Sequence, residues 1–68
     1  MSDQAQLKRF LRIGEVTRLT GMPPSTVYQK MAEGTFPKNI PLGPRMRAWL
    51  EDDLIQWQQA RLAERGAA

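Results

Sequence analysis

Four neighbouring polar residues carry side chains suited to hydrogen-bonding the edges of nucleic-acid bases. Ser25 and Thr26 have hydroxyls, Gln29 has a carboxamide and Lys30 has an ammonium group. A glutamine can bond an adenine through two hydrogen bonds, and a lysine can reach a guanine or a phosphate. None of these side chains is needed for the predicted core. We therefore expect Ser25, Thr26, Gln29 and Lys30 to be available for base reading.

Two short helices are predicted to position these residues, the first near Gly14–Thr20 and the second over Pro24–Glu33. Gly21 and Gly34 can adopt the left-handed conformation that ends a helix, while the Pro23-Pro24 pair can begin one but not extend one. The break between the two helices is therefore a sharp corner, as in a helix-turn-helix. A small helical domain without a nucleic-acid role could share this outline.

The apolar pattern indicates that the two helices pack together. Val16 and Leu19 share a face of the first helix, and Val27 and Met31 share a face of the second. With these faces in contact, the first turn and outer face of the second helix are free to enter a major groove.

A short hairpin is predicted next, with Gly43-Pro44 at its tip. Ile40 and Leu42 precede that turn, and the residues from Arg45 to Trp49 alternate in the period of a strand. Prolines 37 and 41 remove backbone donors, so the hairpin should be short. A hairpin after the second helix is a wing. The guanidinium groups of its arginines suit phosphates and a narrow minor groove.

Basic residues are concentrated in the part of the chain that contains these elements. The chain has a net charge of +3, but the stretch from Lys8 to Arg47 alone carries +6 and the remaining residues −3. A polarised charge of this kind is typical of proteins that bind an anionic backbone. Ordinary solvated surface charge, and a pairing of Arg47 with the acids at 51–53, are the alternatives. The residues predicted to contact the DNA backbone are Arg12, Arg18, Lys38, Arg45 and Arg47.

The composition excludes several other classes of site. The chain has 68 residues without a cysteine or a histidine, so disulfides and the usual zinc site are excluded. Glu51, Asp52 and Asp53 could suggest metal ligands, but acids at the start of a helix are favoured by its dipole. No nucleophile with a base and no phosphate-binding glycine loop is present, so we expect neither an enzyme nor a cofactor.

The predicted organisation is a flexible segment at 1–9, a single domain at 10–65 and a frayed tail at 66–68. A third helix begins near Glu51. No signal peptide or membrane span is found, so we expect a soluble intracellular protein. Tyr28, Trp49 and Trp57 could stack on bases, but a core this small favours burying them. The predicted core comprises Phe10, Leu11, Ile13, Val16, Leu19, Met22, Val27, Tyr28, Met31, Phe36, Ile40, Trp49, Leu50, Leu54 and Trp57.

A spaced set of residues runs through most of the chain and consists of Ile13-Gly14-Glu15-Val16, Leu19-Thr20-Gly21, Ser25-Thr26-Val27-Tyr28, Gly34, Phe36-Pro37, Leu42-Gly43, Arg45 and Trp49. Between about Leu11 and Trp57 the chain thereby resembles the AlpA family of small phage-associated regulators. Two residues depart from the family pattern, since Pro24 and Gln29 stand where basic residues are frequent. The resemblance implies a winged helix-turn-helix similar to MerR-type regulators and phage excisionases, mainly α with a small β-hairpin, and a location in the bacterial cytoplasm at the nucleoid.

The function predicted from the sequence is sequence-specific binding of double-stranded DNA by a transcriptional regulator. One alternative is an excision factor that organises DNA for a phage integrase. Another is an adaptor whose last helix docks on a protein partner. Because the footprint is small, self-association on DNA is also expected.

Overall fold

Three helices and a three-stranded antiparallel sheet make up the fold in the computed structural model, which describes residues 7–67. This architecture confirms the prediction of a mainly α fold with a small hairpin, consistent with a winged helix-turn-helix. No described helix is long and apolar enough to cross a membrane. The elements are β1 (Phe10–Leu11), α1 (Ile13–Thr20), α2 (Pro24–Glu33), β2 (Ile40–Gly43), β3 (Met46–Leu50) and α3 (Glu51–Ala67).

Two left-handed glycines end the first two helices. Gly21 has φ 76° and its N–H donates to the carbonyl of Thr17. Gly34 has φ 83°, and the amides at 34 and 35 donate to the carbonyls at 31 and 30, which closes α2 with a Schellman motif. The bounds of α2 match the prediction, and α1 begins one residue earlier than expected.

The wing is the β2–β3 hairpin, and β1 pairs with the other edge of β3. Gly43 is the last residue of β2 and pairs with Met46, so the turn consists of Pro44 and Arg45. The tip therefore lies one residue beyond the predicted Gly43-Pro44, because a two-residue loop suffices to close a hairpin. As predicted, the hairpin is short.

The core is smaller than the sequence pattern suggests. Phe10, Leu19 and Tyr28 were predicted to be buried but are exposed, Leu19 by 64%. Leu19 follows Val16 by three residues, and that step turns its side chain to the edge of the packed face. Ala48 was not predicted but is fully buried, because β3 is the central strand. The buried residues are Leu11, Val16, Val27, Phe36, Ala48, Trp49 and Leu54.

Two tryptophans hold the segment that joins α2 to the wing. The indole N–H of Trp49 donates to the carbonyl of Pro37 at 2.9 Å, and that of Trp57 donates to the carbonyl of Thr35 at 3.0 Å. Phe36 packs edge-on against Trp57, with 4.9 Å between ring centroids. These contacts fix the position of residues 35–37, which connect α2 to the wing.

Part of the predicted flexible segment is attached to the start of α3. The N–H of Glu51 donates to the carbonyl of Arg9 at 2.9 Å. Residues 1–6 and 68 lie outside the described residues, whereas α3 includes Gly66 and Ala67 of the predicted frayed tail. The division into segment, domain and tail stays a prediction.

Candidate nucleic-acid interface

The outer face of α2 presents two of the four residues predicted to read bases, and the other two lie on its flanks. Ser25 and Gln29 are exposed, while Thr26 and Lys30 are half-buried on the flanks of the helix. Val27 is fully buried, and Gln29, two residues on, points about 200° away from it. Packing of α2 through Val27 therefore turns Ser25 and Gln29 outward.

Gln29 has a hydrogen-bond partner on its own helix. Its Nε2 donates to Oε2 of Glu33 at 3.3 Å, one turn further along the same exposed face. The bond is long and open to water, so exchanging it for another partner costs little. The second N–H and the carbonyl oxygen of the same carboxamide are the groups that a bidentate contact with adenine would use.

Tyr28 is a polar residue of this surface that sequence reasoning placed in the core. Its side chain is 44% exposed, and its ring packs against that of Trp49, with 6.0 Å between centroids and a 54° angle between planes. The aromatic ring thus joins α2 to the wing. Its amphipathic character was the available signal, since a tyrosine usually keeps its hydroxyl near a polar partner or water.

The wing presents two arginines. Arg45 lies in the turn, and Arg47 lies on β3 opposite Pro41. Nη1 of Arg47 donates to Oδ1 of Asn39 at 3.4 Å, so its neighbour is an uncharged amide and not one of the acids at 51–53. Both side chains are exposed on the hairpin.

Two acids at the start of α3 pair with the cations that precede β1, and not with Arg47. Lys8 Nζ lies 2.7 Å from Asp52, and Arg9 lies 3.2 Å from Glu51 and 3.6 Å from Glu15. The hydrogen bond from Lys8 and the charge of Asp52 together raise the pKa of the lysine above its ordinary value. Lys8 and Arg9 are thus engaged in exposed ion pairs, although they belong to the basic stretch of the sequence.

The other cations of that stretch are arranged differently. Within residues 7–67, no carboxylate lies within 4.0 Å of the remaining six. Five of the six are exposed and Lys30 is half-buried. They are Arg12, Arg18, Lys30, Lys38, Arg45 and Arg47. Residues 7–67 also contain no cluster of three or more acidic, histidine or cysteine side chains that could hold a metal ion.

Comparison with known proteins gives a match over most of the chain. The family model described as the prophage CP4-57 regulatory protein (AlpA) matches residues 9–62, which include every candidate contact residue. The chain belongs to the AlpA family. This confirms the resemblance noted in the sequence. The family is a regulatory one.

Two known proteins are similar to this chain. One is an uncharacterized protein, ORF88, of Enterobacteria phage P4, which is 40% identical over 58 residues that cover 85% of this chain and 66% of the phage protein. The other is the DNA-binding transcriptional activator AlpA of Escherichia coli strain K12, which is 32% identical over 59 residues, covering 78% of this chain and 84% of the activator.

Proposed function

We propose that this AlpA-family protein is a transcriptional regulator that binds double-stranded DNA sequence-specifically in the bacterial cytoplasm, at the nucleoid. In this proposal α2 enters the major groove, where Ser25, Thr26, Gln29 and Lys30 contact bases. The wing lies along the backbone or minor groove. A relative that is named as a DNA-binding transcriptional activator supports the class of function.

The observation that carries the proposal is the distribution of paired and unpaired cations. Arg45 and Arg47 on the wing have no carboxylate within 4.0 Å among residues 7–67, and neither does Lys30 on α2. A guanidinium that is not already neutralised can release the counterions condensed on DNA when it contacts a phosphate. In this proposal the cations of the wing contact the DNA beside the exposed outer face of α2, which Tyr28 joins to the wing through its contact with Trp49. Arg12, Arg18 and Lys38 supply further backbone contacts in this proposal.

The salt dependence of binding tests the proposal directly. Gel shifts with duplex fragments over a range of salt concentrations should give a log–log slope of about −0.9 for each phosphate neutralised. A slope near zero, or no retention of duplex DNA at low salt, would contradict it. The second result is the one expected of a protein-binding adaptor.

A second candidate is an excision factor that acts with a phage integrase. The family model is described by the name of a prophage protein, and one relative is a phage protein, so the family and its relatives are linked to phage elements. An excision factor should bend its site and load on adjacent repeats, whereas a promoter regulator can act from one site. Circular-permutation gel shifts measure the bend, and an integrase assay measures the effect on excision. A straight site together with unchanged excision would remove this candidate.

A further inference from the structure

Two exposed apolar side chains stand near the tip of the wing. Leu42 is 41% exposed and Met46 is 44% exposed, and neither belongs to the buried core or to the apolar residues packed against it. Gly43 pairs with Met46 while Pro41 pairs with Arg47, so Leu42 is the extra residue of a bulge and lies beside Met46. The tip therefore carries an apolar pair that the fold itself does not use.

Cations lie on both sides of this apolar pair. Arg45 in the turn and Arg47 on β3 flank Met46 in the chain, and both are exposed without a carboxylate within 4.0 Å among residues 7–67. Neighbouring residues of a strand point to opposite faces, so Met46 and Arg47 project from opposite sides of the hairpin. Such a tip suits a partner that is anionic at its rim and apolar within. The minor groove of DNA has this chemistry, since phosphates border it and apolar wedges can enter its base steps.

The position of the wing relative to α2 places the tip within reach of a minor groove. Tyr28 of α2 packs on Trp49 of the wing, with 6.0 Å between ring centroids. Arg45 lies four residues from Trp49 along the hairpin, which is about 13 Å at the rise of a strand. Adjacent major and minor grooves of B-DNA lie about 17 Å apart, which is half of a helical turn. With α2 in a major groove, the tip extends to the minor groove next to it.

We propose that Leu42 and Met46 insert into this minor groove and separate the bases of one step, so that the protein bends the DNA that it binds. This inference rests on the proposed function. Arg45 and Arg47 hold the phosphates beside the insertion. Apolar insertion of this kind bends a duplex by about 20–90° toward the major groove. Pyrimidine–purine steps open most easily, so the preferred site should carry one at the position of the tip.

The salt dependence of affinity separates an apolar contact from an ionic one. The probe is a duplex that the unmodified protein selects from a random-sequence pool. Met46→Ser should weaken binding about fivefold, the loss expected when a half-exposed apolar side chain is no longer covered. It should leave the log–log salt slope unchanged, because an apolar side chain releases no counterions. Leu62→Ser is the matched control, since Leu62 on α3 is 48% exposed and lies outside the candidate interface, and it should change neither quantity.

The bend is measured on the same duplex. Circular-permutation gel shifts with the unmodified protein should show a bend of at least about 20°. A 2-aminopurine at the opened step should gain fluorescence as its neighbour unstacks. Met46→Ser should reduce both signals at saturating protein, and Leu42→Ser/Met46→Ser should abolish them with an unchanged urea midpoint. A straight duplex with the unmodified protein, or a full bend with Met46→Ser at saturation, would overturn the proposal.

The outcomes distinguish this inference from the function on which it rests. If the unmodified protein retains no duplex DNA at low salt, the proposed function itself fails. If it binds with a steep salt slope but Met46→Ser behaves like Leu62→Ser, only the insertion is refuted. Binding to vesicles of anionic phospholipid that Met46→Ser abolishes, together with unchanged DNA bending, would assign the tip to a membrane surface and overturn the proposal.

Discussion

Two groups of cations from one basic stretch of sequence have different surroundings in the folded protein. Lys8 and Arg9 pair with acids that lie more than 40 residues away, at the start of α3. Arg45 and Arg47 on the wing have no acid close to them among residues 7–67. A positive count along a sequence therefore overstates the surface available to an anionic partner, because folding pairs some of the cations with acids.

The largest expected difference between the two groups is in DNA affinity. The double variant Arg45→Ala/Arg47→Ala should weaken binding to any duplex by about a hundredfold, at about 1.5 kcal/mol for each charged hydrogen bond lost. The log–log salt slope should become shallower by about two units. Gel shifts at several salt concentrations measure both quantities.

The matched control for that experiment is Lys8→Ala/Arg9→Ala, which removes the same number of charges from the paired group. Its affinity and salt slope should remain close to those of the unmodified protein. Equal losses in the two double variants would mean that ion pairing in the free protein does not decide which cations contact DNA.

A smaller effect is expected at Gln29, and only on the preferred site. Gln29→Ala should cost about 1–3 kcal/mol there and little on unrelated DNA, so discrimination at one base pair relaxes. Competition binding with single-base variants of the site measures this. The companion variant is Glu33→Ala, because this change removes an acid from the same face and frees the Gln29 carboxamide from its hydrogen bond. It should strengthen binding to all duplexes.

Tyr28 provides a finer test of how the reading helix and the wing work together. Tyr28→Phe keeps the ring that packs on Trp49 and removes only the hydroxyl. If that hydroxyl bonds DNA, specific affinity should fall by about 0.5–1.5 kcal/mol. The urea midpoint should not change. A lower midpoint with unchanged affinity would show that Tyr28 serves packing alone.

The smallest effect is expected on stability when the paired cations are altered. Arg9→Ala should lower the free energy of unfolding by about 0.2–1 kcal/mol, since its ion pairs are exposed, and the loss should shrink at high salt. Urea unfolding at two ionic strengths measures it. An unfolding free energy that is lowered equally at both salt concentrations would indicate lost packing instead.

The Lys8–Asp52 pair has a pH signature with a defined sign. Because the lysine pKa is raised on folding, its stabilising contribution is complete below the ordinary value of 10.5 and is lost as the pH rises through the raised value. The difference in urea midpoint between the unmodified protein and Lys8→Ala should therefore vanish at sufficiently alkaline pH. A difference that grows with pH would contradict this pairing.

Local signals in the sequence were sufficient to predict the helix-turn-helix. Gly21, Pro24 and Gly34 act within one turn of their own positions, so the ends of α1 and α2 followed from residue type. Burial was harder to predict. Tyr28 lies only 100° around the helix from the buried Val27, and which of two such neighbours is covered depends on where β3 lies.

Long-range contacts could not be predicted from a single sequence. The acids at 51–53 were assigned to the helix dipole, and nothing in their spacing identified Lys8 and Arg9 as their partners. The hydrogen bond between Gln29 and Glu33 is local and could have been found, since the two residues are four apart on one helix. The roles of the candidate contact residues stay predictions.

The three-stranded sheet also limits how copies of this protein can aggregate. β1 has two residues, and β2, at the opposite edge, contains Pro41, which lacks a backbone donor. An edge that is very short or interrupted by proline is a poor template for another strand. Cross-β growth from the sheet edges is therefore discouraged on both sides.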